Sequence, residues 1–408
     1  MKKVAVIGAG PAGLMAAGKA GERGHEIALI EKNTEIGKKL LISGKGRCNI
    51  TNITDIEGLI RNIPGNGNFL YSAFNKFSNT DLIDFLNKRG VKTKVERGGR
   101  VFPLSDEARD ILKALKGYIR ENNVKVMLNS PAIRIEASNG SVRGVALKNG
   151  DTVKCDSVIL AAGGASYPKT GTTGDGYKMA EELGHTIKPL KPSLVPLVVE
   201  EPWVGDLQGL SLKNVSIKLL DKNGNKIYND FGEMIFTHFG VSGPIILSCS
   251  RHALNHDYRN IKLIIDLKPA LTEEKLYERI KRDFDMFSRK QYKNSLGELL
   301  PQKMIPVIIS LTDIPHDKPV NQVTREERKK LCRILKNLEL NIKGARPIEE
   351  AIITAGGVST DEINPSTMES KIVKWLYFAG EIIDVDGYTG GFNLTIAFST
   401  GCLAGMSV

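Results

Sequence analysis

An α/β fold built on a doubly wound parallel sheet, interrupted by a β-rich and then a helical segment, is predicted for this chain by three observations. The first 31 residues read strand, glycine turn, helix, strand. The composition leaves the α/β type near residue 190 and returns to it at Ala351. The length, 408 residues, exceeds what one compact core usually holds. Apolar residues at 41% and charged residues at 25% supply sizeable cores and exclude a disordered or fibrous chain.

Each element follows from local pattern. Lys3 to Ile7 is apolar, Gly8-Ala9-Gly10-Pro11-Ala12-Gly13 follows, Leu14 to Ala20 is rich in helix formers, and Glu26 to Ile30 is a second apolar run ending at Glu31. From Val124 to Leu160 the period falls to two. Turn signals at Ser138-Asn139-Gly140 and Lys148-Asn149-Gly150 predict a three-stranded meander inserted in the sheet domain. Val158 to Ala162 resumes the buried-strand pattern and stops at Gly163-Gly164. Lys188-Pro189 and Lys191-Pro192, with Pro196 and Pro202 behind them, break regular structure and mark a domain boundary.

Beyond that boundary Leu210 to Tyr228 and Ile261 to Leu267 read as strands, whereas 272–300 and 324–340 carry helical spacing, as in Leu276, Ile280 and Phe284. Trp375 to Ala379 is a strand entering Gly380-Glu381. The expected division is 1–190 for the first part of the sheet domain, 191–270 for a β-rich insert, 271–345 for a basic helical insert and 346–408 for the return. No internal repeat or low-complexity tract is present.

The formal net charge is +11, an electrostatic bias toward anionic partners. Residues 275–346 hold 17 Lys and Arg against 9 Asp and Glu, so +8 of that charge is local. Such a run is read as a solvated helical face or as a docking surface for a polyanion such as nucleic acid. Five cysteines (Cys48, Cys155, Cys249, Cys332, Cys402) lie singly, which argues against structural zinc or a disulfide framework. The start of the chain has no signal-peptide layout, and no apolar stretch reaches about 18 residues, so a cytoplasmic location without membrane contact is expected.

Gly8-x-Gly10-x-x-Gly13 sits between a strand and a helix, the context in which the pattern carries chemistry. Gly8 permits the tight turn, Gly10 lets a pyrophosphate approach the backbone, Gly13 allows close packing, and the helix N-terminus attracts phosphate. Glu31 ends the second strand, where a carboxylate accepts hydrogen bonds from an adenosine ribose. The fingerprint alone does not separate FAD from NAD. Two further strand ends, Ala162-Gly163-Gly164 and Ala379-Gly380-Glu381, argue for one extended cofactor, FAD, over a nicotinamide-only dehydrogenase. With no second fingerprint for a resident nicotinamide, NADH or NADPH is expected only as a transient donor.

Longer signatures are more specific. They are the run Gly37 to Asn52, Gly98 to Pro103, Gly163 to Pro168 with Thr170 to Gly176, Thr237 to Pro244, and Ala379 to Glu381 with Asp384 to Asn393. In these the chain closely resembles, in order and over its whole length, the BaiN/RdsA-like bacterial flavoproteins, also labelled aminoacetone-oxidase-like. The resemblance implies a discontinuous FAD-binding Rossmann domain of the glutathione-reductase type with a β-barrel-like insert and a helical insert. It implies FAD contacts at Gly8, Gly10, Pro11, Ala12, Gly13, Glu31, Lys32, Lys39 and Leu40, and in the loop containing Gly44, Gly46, Arg47, Cys48 and Asn49. Further contacts are implied at Ala132, Ala162, Gly163, Gly164, Gly380, Glu381, Asp386, Gly391, Phe392 and Asn393. One departure stands out. Related flavoproteins often end the last strand in Gly-Asp, whose carboxylate holds the ribityl chain, and here Gly380-Glu381 stands there, leaving Glu381, Asp384 and Asp386 as alternatives.

Read physically, Ser43-Gly44-Lys45-Gly46 offers consecutive backbone N–H donors, Arg47 suits a phosphate or substrate anion, and Cys48, without a partner cysteine, reads as packing. His238, in a glycine-rich irregular segment, and Tyr388, flanked by glycines, are the candidate catalytic proton donors, with Tyr167 a weaker third. The family implies reduction of a C=C bond conjugated to a carbonyl. The substrate is a small-molecule enone of the 3-oxo bile-acid steroid type or a uridine of large-subunit rRNA. Oxygen-dependent amine oxidation and a flavin-stabilised RNA-binding role are the alternatives.

Overall fold

The computed structural model describes residues 1–408 and divides into two compact units, Met1–Ser193 with Ile348–Val408, and Leu194–Pro347.

The first unit is built on a five-stranded parallel sheet. Its spatial order is Leu376–Phe378, Ser157–Leu160, Lys3–Ile7, Glu26–Ile30, Lys125–Met127. The inner strands read as unbroken apolar runs because both faces are covered; Val4 to Ile7 and Ser157 to Leu160 are all buried. The helix Phe392–Ser407 is apolar on every side, which marks it as a core helix. It lies directly on Pro11–Glu22. A Cβ on Gly401 would come 2.3 Å from the Ala12 carbonyl oxygen, and one on Gly405 2.4 Å from that of Ala16, so these two glycines set the close approach.

The meander is Ala132–Ser138, Ser141–Leu147 and Thr152–Lys154; its expected flanks, Lys125–Met127 and Ser157–Leu160, belong to the parallel sheet. The ribbon of Ile187–Ser193 against Ile353–Val358 carries the chain out of this unit and back.

The second unit contains a closed barrel ordered Leu197–Val199, Gly240–Ser242, Lys226–Phe236, Ser211–Leu220, Lys262–Asp266, Leu338–Ala345. Two expectations need correction here. The single strand read over Leu210 to Tyr228 is two strands, because Asp221 Oδ1 accepts from the backbone N–H groups of Asn223 and Asn225, both at 2.8 Å, and turns the chain. The helix read over 324–340 stops at Lys336; Leu338–Ala345 alternates buried and outward residues and closes the barrel.

Helices Glu273–Met286 and Arg325–Lys336 start at Thr272 and Thr324, whose hydroxyls accept the N–H of Lys275 and Glu327. Leu276, Ile280 and Phe284 are buried with Leu331 and Leu335 in the same cluster as the barrel strands. Barrel and helices therefore share one core, and no core boundary falls at 270/271. No helix is long and apolar enough to cross a membrane.

Candidate cofactor site and active site

The glycine turn assigns three different tasks to its glycines. Gly8 has φ +99°, and a Cβ there would lie 2.5 Å from the Ala161 carbonyl oxygen. A Cβ on Gly13 would lie 1.8 Å from the Gly8 oxygen, so helix and strand touch at that point. Gly10, at the N-cap of Pro11–Glu22, has nothing within 4 Å of an added Cβ. Two glycines are thus demanded by packing, and Gly10 alone faces open space at a helix N-terminus. Glu31 is 7% exposed; its Oε2 accepts the Ala9 N–H at 2.8 Å and its Oε1 accepts from the Asn33 backbone N–H and side-chain amide.

These residues open into one large pocket at the C-terminal ends of the parallel strands, the place where doubly wound sheets bind ligands. Gly8, Gly10, Pro11, Ala12, Glu31, Lys32, Lys39, Leu40, Ala132, Ala162, Gly163, Gly380, Glu381 and Asn393 line it. The Asn393 side chain also ties Gly387, accepting its N–H at 2.8 Å and donating to its carbonyl at 2.7 Å.

Other residues implied by the resemblance are not among the lining residues. Gly13 lies beneath the turn, and Gly44 and Gly46 sit at positive φ, +56° and +85°, in a tight turn. Arg47 pairs with Glu96 and, at 2.8 Å, with Asp106, and stacks 4.1 Å from the Phe102 ring. Its charge is already paired with these two carboxylates. Cys48 is fully buried and its thiol is pushed up to about 12 by burial, which leaves it packing rather than reacting.

The Asn49 amide, oriented with its nitrogen toward the carbonyls of Thr51 and Val101, accepts the Gly391 N–H at 3.0 Å. Gly391 is the left-handed N-cap of Phe392–Ser407, and Phe392 is buried in the core. Gly164 makes room for two neighbours, since a Cβ would lie 2.5 Å from Thr354 Oγ1 and 2.7 Å from Glu381 Oε1. Asp386 is buried and accepts from Ser193 Oγ at 2.9 Å, while Asp384 accepts from the Asn66 amide at 3.0 Å. Of the three acids left open by the sequence, only Glu381 reaches the pocket.

Tyr388 is half-buried, its N–H donates to the Asn62 carbonyl at 2.9 Å, and it does not line the pocket. His238 belongs to the barrel unit, on the exposed segment between Lys226–Phe236 and Gly240–Ser242, with its ring edge-on to Phe239 at 4.9 Å. Tyr167 is half-buried with φ +53°.

Sequence reasoning missed a polar cluster at the Glu31 end. Lys32 Nζ donates to Asp175 at 2.6 Å and to Thr173, and the Asn33 amide donates to the Thr170 carbonyl at 3.1 Å. Together they fasten the 163–174 loop to the end of the second strand. Gly171 and Gly174, both at positive φ, were the available signal for that loop.

The pocket fits FAD on its own geometry. A phosphate has room at Gly10, a buried carboxylate waits at Glu31, and the N-termini of two long helices, Pro11–Glu22 and Phe392–Ser407, contribute lining residues. Fold and site define an FAD-binding oxidoreductase of the Rossmann type. The family model described as HI0933-like protein Rossmann domain matches residues 2–407, and the chain belongs to that family.

Among curated relatives, the 3-dehydro-bile acid delta(4,6)-reductase of Clostridium scindens is 31% identical over 99% of this chain and 98% of its own. The ribosomal RNA dihydrouridine synthase of Escherichia coli is 32% identical over 97% and 95%. Of solved structures, 3-ketosteroid delta1-dehydrogenase from Sterolibacterium denitrificans aligns with a TM-score of 0.53 at 14% identity, covering 99% of this chain and 98% of that one, a likeness of fold.

Proposed function

We propose that this flavoenzyme takes electrons from NADH or NADPH and reduces a C=C bond conjugated to a carbonyl, with a uridine of large-subunit rRNA as its substrate. The observation that carries the reaction is the full-length likeness to two relatives whose names describe one chemistry. Reducing the Δ4 bond of a 3-oxo bile acid and converting uridine to dihydrouridine both add a hydride β to a carbonyl and a proton at the α carbon, and reduction at Δ6 carries the same polarity to the vinylogous δ carbon. Bound FAD supplies the hydride.

The chain's own residues hold and shape the site. The Gly8 to Gly13 turn and the N-terminus of Pro11–Glu22 would hold the pyrophosphate, and Glu31 the ribose hydroxyls. Backbone N–H groups at the glycine-rich loops suit the role of polarising the substrate carbonyl as negative charge develops on its oxygen. Tyr388, in the unit that contains the pocket, and His238, on the barrel, are the two side chains proposed to deliver the proton. Tyr388→Phe and His238→Gln discriminate them, because loss of turnover with retained FAD identifies the donor.

The +8 charge of 275–346 favours the RNA substrate, because a carboxylated steroid needs only one or two cations. Mass spectrometry of nucleosides from large-subunit rRNA, with and without the gene, tests the reading. Loss of dihydrouridine on deletion supports it. Unchanged dihydrouridine overturns the RNA substrate and directs assays to small steroid enones, and hydrogen peroxide released from an amine would overturn the reductase reading as well.

A further inference from the structure

Glu381 occupies the position where an aspartate was expected, and its surroundings explain the extra methylene. Its Oε2 accepts from Lys39 Nζ at 2.7 Å, and its Oε1 accepts from Ser166 Oγ and the Thr354 backbone N–H, both at 3.0 Å. Lys39 Nζ also donates to Ser166 Oγ at 2.7 Å. The Thr354 hydroxyl accepts the Ala165 N–H at 2.9 Å, which draws the 163–166 loop into the same cluster. Four distant segments thus meet at one carboxylate: the helix Lys38–Ile42, that loop, the strand Ile353–Val358 and the turn Gly380–Ile382. The Glu381 side chain is 14% exposed and that of Lys39 25%, so the pair is largely withdrawn from water, yet both residues line the pocket.

Donors from the protein already engage both carboxylate oxygens of Glu381. An ammonium has three N–H donors, and Lys39 spends two of them in this cluster. Lys39 therefore keeps one N–H donor, and its positive charge, at the pocket wall for a ligand. Gly164 is part of the same construction, since a Cβ there would displace Glu381 Oε1 and Thr354 Oγ1.

We propose that Glu381 and Lys39 act as one unit toward bound FAD: Glu381 is a positioning residue that holds the Lys39 ammonium at the pocket wall, and Lys39 makes the cofactor contact and favours its more negative, reduced form. The role given in related flavoproteins to a short acid binding the ribityl chain is replaced here by a lysine steered by a longer acid. The proposal concerns the cofactor pocket alone and does not depend on which substrate is reduced.

The experiment measures FAD dissociation constant and midpoint potential in the full-length protein without substrate, for Lys39→Met, Lys39→Arg, Glu381→Gln, Glu381→Asp and the Lys39→Met/Glu381→Gln double variant. Lys39→Met is expected to bind FAD about tenfold more weakly, the order of one lost hydrogen bond to a charged group, and to lower the potential. Lys39→Arg is expected to recover part of both. Glu381→Asp, too short to reach Lys39, is expected to follow Lys39→Met in direction, and the double variant to be no worse than Lys39→Met alone. The isosteric Glu381→Gln keeps the comparison decisive if the aspartate variant does not fold. Wild-type affinity and potential in Glu381→Asp or Lys39→Met, or additive losses in the double variant, would overturn the proposal. An unchanged rRNA dihydrouridine level would count only against the substrate reading above.

Discussion

Gly10 and Gly13 look alike in sequence and differ in physics. Because nothing lies within 4 Å of an added Cβ at Gly10, Gly10→Ala should leave the apoprotein's melting temperature near wild type and weaken FAD binding, as read by flavin fluorescence titration. Gly13→Ala meets the Gly8 carbonyl and should destabilise the fold itself by about 1–3 kcal/mol, measured by denaturant unfolding of apoprotein. Equal effects of the two substitutions on the apoprotein would contradict this distinction.

Arg47 shows what residue type alone conceals. A cation in a glycine-rich loop suits phosphate, but here Lys94 and Arg47 together hold the Asp106 carboxyl below its usual range, and Arg47 also stacks on Phe102. Arg47→Gln is therefore expected to lower thermal stability while leaving FAD affinity unchanged. A large loss of FAD affinity with an unchanged melting temperature would support the phosphate reading instead.

At the scale of elements, the segment from Ile363 to Phe378 is pinned by one buried histidine. His185 Nε2 is 2.9 Å from Ser370 Oγ, its Nδ1 is 3.3 Å from Glu362, and its ring meets Phe378 edge-on at 4.8 Å. Ser370 Oγ already accepts the N–H groups of Ile372 and Val373, so its own proton points to the imidazole, which must be unprotonated at Nε2. Burial pushes the His185 pKa below its ordinary value, outweighing the pull of Glu362.

The unfolded chain then takes up a proton before the folded one does, so this contribution to stability is present above about pH 6.5 and is lost as pH falls below it. Burial raises the Glu362 carboxyl, but the Thr186 backbone N–H and His185 bring it net below its ordinary value, which adds a loss of the same sign further into acid. Melting temperature should drop between pH 7 and pH 5.5, and His185→Gln should flatten that drop. A wild-type profile in the variant would remove His185 as its source. The patterns that named elements reliably were the unbroken apolar strands. The barrel was harder to read, because a charged two-strand ribbon and a helix running into a strand both carry mixed periodicity.

At the scale of the whole molecule, the positive charge is concentrated in residues 275–346, within the unit that holds the barrel and its helices. Lys281, Arg289 and Lys293 are exposed there. Replacing all three by alanine should reduce the slope of log affinity against log salt for an rRNA fragment by about 2, at about 0.7 per phosphate contact on a single strand. FAD content should stay at the wild-type level. An unchanged slope would make these side chains a solvated face.

By itself the sequence determined the class of the protein: the glycine turn, Glu31 and the strand ends at Gly163 and Gly380 are local patterns, each set by what a few consecutive residues can do. Tertiary structure decided the pairings that no local rule reaches. Glu381 meets a lysine 342 positions away, and Lys32 meets Asp175 at a separation of 143. Cys48 disappears into the core, and the barrel and helices share one set of buried side chains. The physical reason is that backbone geometry is fixed by neighbours in the chain, whereas the partner of a charged or buried side chain is fixed by which distant segments the packed core brings together.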